Sequence, residues 1–428
     1  MEIVYISYYF PPIPSIAVQR NYNIVRSLVD DGQKVTVLTT SNQNIFLQEH
    51  KPLESMYIKV LKTFDYRTIL RMLNPSKQNI HYTEQHKKNR ILKWLIKVNE
   101  SLPFNIPFGE GGLLYILHGV KTVLKYIQNK PNGKSTIVIT SFRPTSNVII
   151  GYLSKLFSSK IFWVVSFHDA PYLQKRNNFV LVSLQHWMWK KILKKSDLVL
   201  SVTQGVSSTI TRYDVNPILF SNGIIVRTPQ SLQNIKFTMV FTGSLYRNLI
   251  DPVYLFKTME YLSNNNTIDI NSCEIIYAGK DGEEWKEWAK KYPNSEKIIR
   301  CIGLISNLDA LSLQEMANIN IMLTWNDKDY FGNITGKFYE YVGSRNPILA
   351  IVKGVYDDEL EDTFRLLKCG RIVYETDESA IHEIAEFILE NYALWKKNEF
   401  HNAINSLENL NKHSWQSKVN YFKSLLPI

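Results

Sequence analysis

The segment YFGNITGKFYEYVGSRNPILAI, residues Tyr330–Ile351, decides how the whole sequence is interpreted. Its first residues are rich in glycine and predict a flexible loop, and a helix is predicted to begin near Lys337. The apolar run Ile319–Trp325 precedes the loop, and another apolar run begins at Pro347. This order of strand, loop, helix and strand is typical of a parallel α/β sheet.

The predicted start of this helix has the chemistry of a nucleotide-binding site. The first N–H groups of a helix have no partner within the helix, and the positive end of its dipole attracts anions. Thr335 and Gly336 lie at that end, and Lys337 adds a formal positive charge in the first turn. Glu340 lies one turn further, where a carboxylate suits two sugar hydroxyls, such as those of a ribose. An ordinary helix start with a solvated lysine and glutamate is the alternative.

Similar strand patterns recur along the 428 residues. Several runs are apolar over most of their length, as expected of strands buried on both faces of a parallel sheet, and most are separated by enough residues for a crossover helix. The predicted strands are Glu2–Ser7, Lys34–Thr40, Met56–Thr63, Thr136–Thr140, Lys160–Phe167, Leu198–Thr203, Phe237–Ser244, Cys273–Gly279, Ile298–Gly303, Ile319–Trp325, Pro347–Val352 and Arg371–Glu375. We therefore predict two doubly wound α/β domains, residues 1–222 and 237–412, joined by a linker over 223–236.

The segment that contains Lys337 resembles the donor site of the retaining GT-B glycosyltransferases of glycosyltransferase family 4, which includes sucrose synthase-like and bacterial polysaccharide enzymes. In that family a glycine-rich loop and a helix start hold the donor diphosphate, and the second glutamate of a Glu-x7-Glu pair holds the ribose. Glu340 matches the second glutamate. Gly332 stands where the first is expected, so the carboxylate that normally touches the donor sugar is missing.

This resemblance carries expectations about fold and substrate. It implies a GT-B α/β architecture, in which two Rossmann-like domains face an interdomain cleft. The C-terminal helix, about residues 413–428, is expected to cross back to the N-terminal domain. The C-terminal domain is expected to bind a UDP- or GDP-linked sugar, and the N-terminal domain to lie on the acceptor side.

Further matches to the family lie in the C-terminal half. FTGSLYRN, Phe241–Asn248, resembles the strand and loop in which a glycine is followed by a basic residue on the diphosphate, and Gly243 and Arg247 take those positions. Arginine suits phosphate because its guanidinium can donate two parallel hydrogen bonds. The loops YAGKDGEE and CIGLIS resemble those that hold the nucleobase, with Leu304 and Ile305 as candidate contacts.

The loop YYFPPIPSIAVQR resembles the first loop of the family's N-terminal domain. There a pair of glycines lets the backbone approach the donor phosphates, and Pro14 and Ser15 replace that pair here. Proline has no N–H, so one backbone donor is lost unless the loop sits differently or Ser15 compensates. Arg20 lies about one helical turn further and is expected to face the cleft.

A second N-terminal loop, SFHDAP, supplies the candidate catalytic residues His168 and Asp169. It follows an apolar strand and therefore lies at the edge of the sheet where α/β proteins bind ligands. In the family, this pair faces the donor sugar and the acceptor. His168 is expected to position the sugar or to stabilise charge, rather than to act as a strong base. The alternative is that Asp169 caps a turn and His168 packs locally.

Charge is unevenly distributed. Residues 1–222 contain 28 Lys and Arg against 12 Asp and Glu, and the remaining residues contain 22 against 27. Two basic segments of the N-terminal half, HKKNRILKWLIKV and HWMWKKILKK, interleave lysines with apolar residues, as helices at anionic membrane surfaces do. The second segment supplies the candidate membrane-facing residues Trp187, Trp189, Lys190, Lys191, Lys194 and Lys195. A solvated lysine face over an ordinary core is the alternative.

Several classes of protein are not supported by the sequence. It contains no recognised nucleic-acid-binding module, no metal-ligand motif and no suitably placed Asp-x-Asp of metal-dependent transferases. We therefore expect no nucleic-acid partner, no cofactor and no obligatory metal. The three cysteines lack metal spacing and are predicted to be free thiols. The N-terminus predicts a strand rather than a signal peptide, and no run is long enough for a transmembrane helix.

The leading hypothesis is a retaining hexosyl- or N-acetylhexosaminyltransferase of bacterial surface polysaccharide synthesis, such as that of lipopolysaccharide or capsule. Family relatives commonly use lipid-linked acceptors, so the resemblance implies a cytoplasmic protein that lies peripherally on the inner face of the membrane. Two alternatives remain open at this point. One is a nucleotide-sugar epimerase of the same fold, and the other is a non-catalytic homologue that acts as a binding partner.

Overall fold

The computed structural model describes residues 2–11, 16–41, 57–65, 68, 94, 97–129, 135–173, 177–230, 234–245, 249–328, 331–332, 334–403 and 405–427. The chain forms two compact units. Unit 1 is Met1–Asn222 together with Val419–Ile428, and unit 2 is Gly223–Lys418.

A parallel sheet forms the centre of unit 1, with seven strands among the described residues. The strands are β1 (Glu2–Ile6), β2 (Lys34–Thr40), β3 (Tyr57–Leu61), β4 (Thr136–Phe142), β5 (Ile161–Phe167), β6 (Leu198–Ser201) and β7 (Ile218–Leu219). Their order is β3-β2-β1-β4-β5-β6-β7, and every neighbouring pair is parallel. Every position of β4 is buried, as expected of a central strand covered on both faces, and this accounts for its mainly apolar sequence.

Helices pack on this sheet and close the core of unit 1. They are α1 (Ile16–Asp30), α2 (Asn105–Phe108), α3 (Gly112–Gln128), α4 (Thr145–Phe157), α5 (Val182–Leu193) and α6 (Gln204–Thr211). The hydroxyl of Thr203 caps α6 by accepting from the Val206 N–H at 3.2 Å. Trp163, Phe167 and Tyr115 are among the large side chains that the core buries completely.

Unit 2 repeats this architecture around a second parallel sheet, of six strands among the described residues. The strands are β8 (Phe237–Thr242), β9 (Cys273–Ala278), β10 (Ile299–Gly303), β11 (Ile319–Trp325), β12 (Ile348–Lys353) and β13 (Gly370–Tyr374). Their order is β10-β9-β8-β11-β12-β13. The order reverses at β8, so the loops after β8 and β11 flank the point where doubly wound sheets bind ligands.

The helices of unit 2 follow its strands in alternation. They are α7 (Val253–Asn264), α8 (Gly282–Ala289), α9 (Pro293–Ile298), α10 (Asn307–Met316), α11 (Gly336–Ser344), α12 (Asp358–Leu367), α13 (Ser379–Lys396) and α14 (Leu407–Asn411), and α15 (Trp415–Ser424) follows them. Ser306 caps α10 and Asp357 caps α12, each through a side-chain oxygen that accepts a backbone N–H. These caps fix where the helices begin relative to the strand ends.

The strand predictions agree closely with the structure. Each predicted run overlaps one strand, and the ends of that strand lie within two residues of the predicted ends. The sequence missed β7, because its two residues are too short for any periodicity to show. The prediction of two doubly wound α/β units is confirmed.

The state of the cysteines and the character of the helices test two further predictions from the sequence. The three cysteines are free thiols, with Cys273 and Cys369 buried, as predicted. Burial raises the pKa of the Cys273 thiol to about 12, so it stays protonated at neutral pH. Within the described part of the chain, no helix combines the length and the apolar character needed to cross a membrane.

Candidate functional site

The predicted diphosphate site of unit 2 forms where β8 ends and α11 begins. Gly243 follows β8 directly, with a φ of +153° that favours glycine. A Cβ atom on Gly243 would lie 3.4 Å from Cε of Lys337, so the lysine stem packs against the glycine backbone. Thr335 is the N-cap of α11, and among the described residues its side chain makes no capping hydrogen bond. The structure therefore brings together Gly243, Gly336 and Lys337 at an open helix N-terminus.

Lys337 is a partly buried cation at this helix start. Burial lowers the pKa of its ammonium, and the Glu340 carboxylate acts in the opposite direction. Among the residues that the structure describes, no carboxylate lies within ion-pair distance of Lys337. A bound anion would relieve the cost of burying this charge, which is the arrangement expected of a phosphate-binding lysine.

Tyr341 fixes α11 against the end of β8. The Thr242 N–H donates to Tyr341 Oη at 2.9 Å, and the same oxygen lies 3.2 Å from the Thr242 carbonyl oxygen. The phenol is 2% exposed, and burial raises its pKa to about 12. Tyr341 thus holds the helix start that carries Lys337 at a defined distance from Gly243. The role of Tyr341 could not be found from the sequence, because its contact with Thr242 depends on how α11 packs against β8.

Glu340 lies one turn into α11, beside Gln314 of α10 and Arg227 of the segment before β8. The Gln314 amide lies 3.5 Å from Glu340 Oε2. Arg227 donates to the main-chain oxygen of Glu340 at 2.7 Å and pairs with Glu315 at 2.8 Å. The residue predicted to hold ribose hydroxyls is therefore held in place by contacts within unit 2, to its side chain from Gln314 and to its main chain from Arg227.

The loop before α11 is held by Asp357. The Gly332 N–H donates to Asp357 Oδ2 at 2.8 Å, and the Asn326 amide lies 3.4 Å from the same oxygen. Gly332 has a φ of +63°, in the left-handed region that glycine adopts without strain. A glutamate at this position would be strained in this backbone conformation, which gives a physical reason for the departure from the Glu-x7-Glu pattern.

The predicted base contacts lie in the loop after β10. Leu304 is 77% exposed, so its side chain is open to a ligand. Ile305 instead packs against a small apolar cluster that includes Val240 and Ala278. Contact from Ile305 to a base is therefore expected through its backbone rather than its side chain. Arg247, Ser15 and Pro14 lie outside the described residues, and so does most of the first basic segment.

The candidate catalytic residues of unit 1, His168 and Asp169, directly follow β5, whose carboxyl end pairs with that of β4. The Arg143 N–H donates to Nε2 of His168 at 3.3 Å, and Ser141 Oγ lies 3.5 Å from Nδ1. Burial is the largest cause of a His168 pKa of about 4; Asp169 acts to raise it, and Arg20 and Arg143 act to lower it. The imidazole is therefore neutral at pH 7 and cannot store a proton as a strong base does.

A buried polar network determines which nitrogen of His168 carries the proton. Tyr5 Oη and Ser141 Oγ both donate to Asn21 Oδ1 at 2.8 Å. The Asn21 amide in turn donates to Ser7 Oγ at 2.8 Å. Because the Ser141 proton is used on Asn21, its oxygen can only accept from His168, which assigns the proton to Nδ1 and leaves Nε2 as the acceptor. This network could not be predicted from the sequence, because its members are far apart in the chain.

Asp169 and Arg20 have different surroundings. The Asp169 side chain is 60% exposed and its Oδ2 lies 3.9 Å from Nε of Arg143. Arg20 is 6% exposed, and its guanidinium donates to Asn222 Oδ1 at 2.6 Å and to the Phe220 oxygen at 2.7 Å. These contacts tie α1 to the end of unit 1, so a role for Arg20 at the donor stays a prediction.

The predicted membrane-facing residues of α5 separate into two groups. Trp187 is 57% exposed, with the Lys191 ammonium 5.0 Å from its ring centroid. Trp189 is 1% exposed and packs edge-on against Phe142, so its placement on a membrane face is wrong. The reason is helical periodicity: residues two apart lie on nearly opposite faces, so both cannot point outward.

The lysines of α5 and the turn after it remain at the surface. Lys190 and Lys194 both pair with Asp214, with the Lys194 ammonium 3.6 Å from the carboxylate. Lys191 and Lys195 are exposed. One carboxylate thus faces two of the four lysines, and the surface keeps a net positive charge.

Comparisons with known proteins give a fold match and no sequence match. No family model and no curated protein matches the chain. Sucrose-phosphate synthase from Thermosynechococcus elongatus matches 99% of this chain and 98% of its own, at 13% identity and a TM-score of 0.58. The lipopolysaccharide outer core galactosyltransferase WaaB, in its apo form, matches all of both chains at 9% identity and a TM-score of 0.56. Anabaena HepE in complex with UDP and glucose matches 99% and 98% at 10% identity and a TM-score of 0.55.

The fold is GT-B. The two parallel sheets of the described residues are its two Rossmann-like domains. In GT-B terms, the open helix start with Lys337 lies in the C-terminal domain and the neutral His168 in the N-terminal domain. The prediction of the fold class is confirmed over the full length of the match.

Proposed function

We propose that this protein is a glycosyltransferase that uses a UDP- or GDP-linked sugar as donor. One observation carries the proposal: the Lys337 stem packs on Gly243 at the start of α11, with Glu340 one turn further along the same helix. The cation and the open N–H groups suit a diphosphate, and the carboxylate suits a ribose. HepE, which has the same fold, was crystallised with UDP and glucose, and this supports a nucleotide-sugar donor.

The donor site would promote transfer by stabilising the leaving diphosphate. Negative charge develops on the diphosphate as the bond to the sugar breaks, and preorganised donors at that position stabilise the transition state. Lys337 and the helix N-terminus provide this in unit 2, and Arg247 is the second cation that the family resemblance assigns. On this mechanism the reaction retains the anomeric configuration, and the leaving diphosphate helps to deprotonate the acceptor.

His168 would orient the reacting sugar as a neutral imidazole. Its pKa of about 4 makes it a weak proton acceptor near pH 7, whereas its fixed tautomer gives a defined hydrogen-bonding edge. Asp169, exposed beside it, would contact sugar or acceptor hydroxyls. We assign a positioning role to His168 and a binding role to Asp169.

The acceptor would be a lipid-linked glycan of a bacterial surface polysaccharide. The basic balance of residues 1–222 and the exposed Trp187 among lysines support contact with an anionic membrane. The protein would then work peripherally at the inner face of the cell membrane, with the acceptor at unit 1 and the donor at unit 2. WaaB acts on a lipopolysaccharide core by name, which is consistent with this class of acceptor.

The test is turnover by the purified protein. UDP- and GDP-sugars are incubated with the protein, with and without a membrane extract that contains lipid-linked glycans, and release of nucleoside diphosphate is measured. Release that depends on the lipid fraction, with sugar recovered on lipid, supports the proposal. Conversion of the sugar without lipid would indicate an epimerase instead. Binding of a nucleotide sugar with neither reaction would indicate a non-catalytic homologue.

A further inference from the structure

Gln314 lies completely buried between the predicted ribose carboxylate and the end of β8. It is 0% exposed, although glutamine is a mostly exposed residue type. Its amide nitrogen donates to Thr242 Oγ1 at 3.0 Å and lies 3.5 Å from Glu340 Oε2. Its position at the end of α10 connects the strand end under Gly243 to the carboxylate on α11.

Arg227 determines which way the Gln314 amide faces. The Arg227 guanidinium lies 3.1 Å from Gln314 Oε1, and a guanidinium can only donate. The oxygen of the amide must therefore face Arg227, and its NH₂ group must face Thr242 and Glu340. Arg227 is itself held by the Glu315 carboxylate at 2.8 Å, so the orientation has a charged anchor.

We propose that Gln314 is a positioning residue that sets the orientation of the Glu340 carboxylate for the ribose of the donor, with Arg227 fixing its amide. This rests on the proposed function. A carboxylate that accepts two ribose hydroxyls must present its plane to them, and an amide donor at one oxygen restricts its rotation. Gln314 would thus act on ribose binding through Glu340, without contacting the nucleotide itself.

The test measures discrimination between ribose and deoxyribose. The affinities of UDP, GDP and their 2′-deoxy counterparts, dUDP and dGDP, are measured by calorimetry for the wild-type protein. We expect the 2′-deoxy form of the preferred nucleotide to bind about tenfold more weakly, since it lacks one hydroxyl bonded to a charged group. Glu340→Gln should remove most of this ratio.

Gln314→Met keeps the size of the side chain and removes its amide. We expect the ratio between ribose and 2′-deoxyribose forms to fall from about tenfold to about two- to threefold. Arg227→Lys keeps the charge near Glu315 and removes the planar fork, so it should lower the ratio as well, without emptying the buried site. A purely structural role would weaken both nucleotides equally and leave the ratio unchanged.

Asn346→Ala is the matched control. The Asn346 amide donates to the main-chain oxygens of Gln314 and Glu315, at 3.1 and 2.9 Å, so its loss perturbs the same helix end without removing the Gln314 side chain. This variant should retain the wild-type ratio. An unchanged ratio in both Gln314→Met and Arg227→Lys would overturn the positioning role while leaving the proposed function intact. Failure of the wild-type protein to bind either nucleotide would contradict the proposed function itself.

Discussion

The main-chain N–H of Arg143 donates to Nε2 of His168 at 3.3 Å, and this single contact constrains what the histidine can do. A nitrogen that accepts from an N–H carries no proton of its own. With Ser141 beside Nδ1, the imidazole is held neutral and in one tautomer. A residue of this kind positions a reacting group more readily than it transfers a proton.

Replacement of His168 should therefore affect turnover more than nucleotide affinity. We expect His168→Ala to lower kcat by at least about tenfold, because contacts made mainly in the transition state appear in kcat rather than in ground-state binding. UDP and GDP affinities should stay within about twofold of the wild-type values, since the residue lies in unit 1. Steady-state kinetics and calorimetry on the same preparations check this, and turnover like that of the wild type would place His168 among local packing residues.

The pH dependence of stability provides a separate check on His168. Its pKa is 6.5 in the unfolded chain and about 4 in the folded protein. Between these values the unfolded state binds a proton that the folded state does not, so stability should fall as the pH decreases from 6.5 towards 4. His168→Asn should show a shallower fall over this window in urea unfolding at a series of pH values. Parallel pH curves for the two proteins would contradict a His168 imidazole that stays neutral in the folded protein.

The link between Tyr341 and Thr242 should contribute measurably to the stability of unit 2. Tyr341→Phe removes the phenolic oxygen and leaves the buried Thr242 N–H without this partner, which costs about 1–3 kcal/mol. Denaturant unfolding measures the loss. Tyr356→Phe, at a tyrosine that is 61% exposed, is the control and should change stability by less than about 0.5 kcal/mol. Equal effects of the two substitutions would show that the buried phenol has no special role.

The basic surface around Trp187 should bind anionic membranes. Liposome co-sedimentation is expected to show binding to vesicles with anionic lipid, weaker binding at higher salt, and strong loss when Lys190, Lys191, Lys194 and Lys195 are all changed to Ser. Trp187→Ala, added to the four lysine changes, should weaken the remaining binding to these vesicles. Trp189→Ala serves as a contrast, because it should destabilise the core by about 3–5 kcal/mol without acting at a surface. Equal binding to neutral and anionic vesicles would refute an electrostatic docking surface.

The sequence predicts a larger part of the fold than of the candidate site. Strands such as β11 and β12 are apolar at most positions and almost entirely buried, so their positions follow from local composition. Lys337 and Glu340 could be selected because helix starts and turns have local signals. Tyr5, Asn21 and Ser141 could not, since their contact depends on the order of strands in the sheet.

The error at Trp189 has the same physical origin. A short amphipathic segment shows which residues are apolar, but the choice of the face that is buried depends on what the helix packs against. Phe142 and Phe167, on two different strands, pack against the Trp189 ring, so the face of α5 that carries Trp189 is the buried one. Trp187, two positions earlier, is left at the surface.

We propose that a nucleoside diphosphate binds where α11 begins, with Lys337 on the phosphates. Calorimetric titration of UDP and GDP into wild-type protein, Lys337→Ala and the surface control Lys286→Ala tests it most directly. We predict that Lys337→Ala weakens binding of the preferred nucleotide by about 1.5–3 kcal/mol, the contribution of one charge-assisted contact, and that Lys286→Ala leaves it unchanged. Equal affinities for all three proteins, or no binding of either nucleotide to the wild-type protein, would contradict the account.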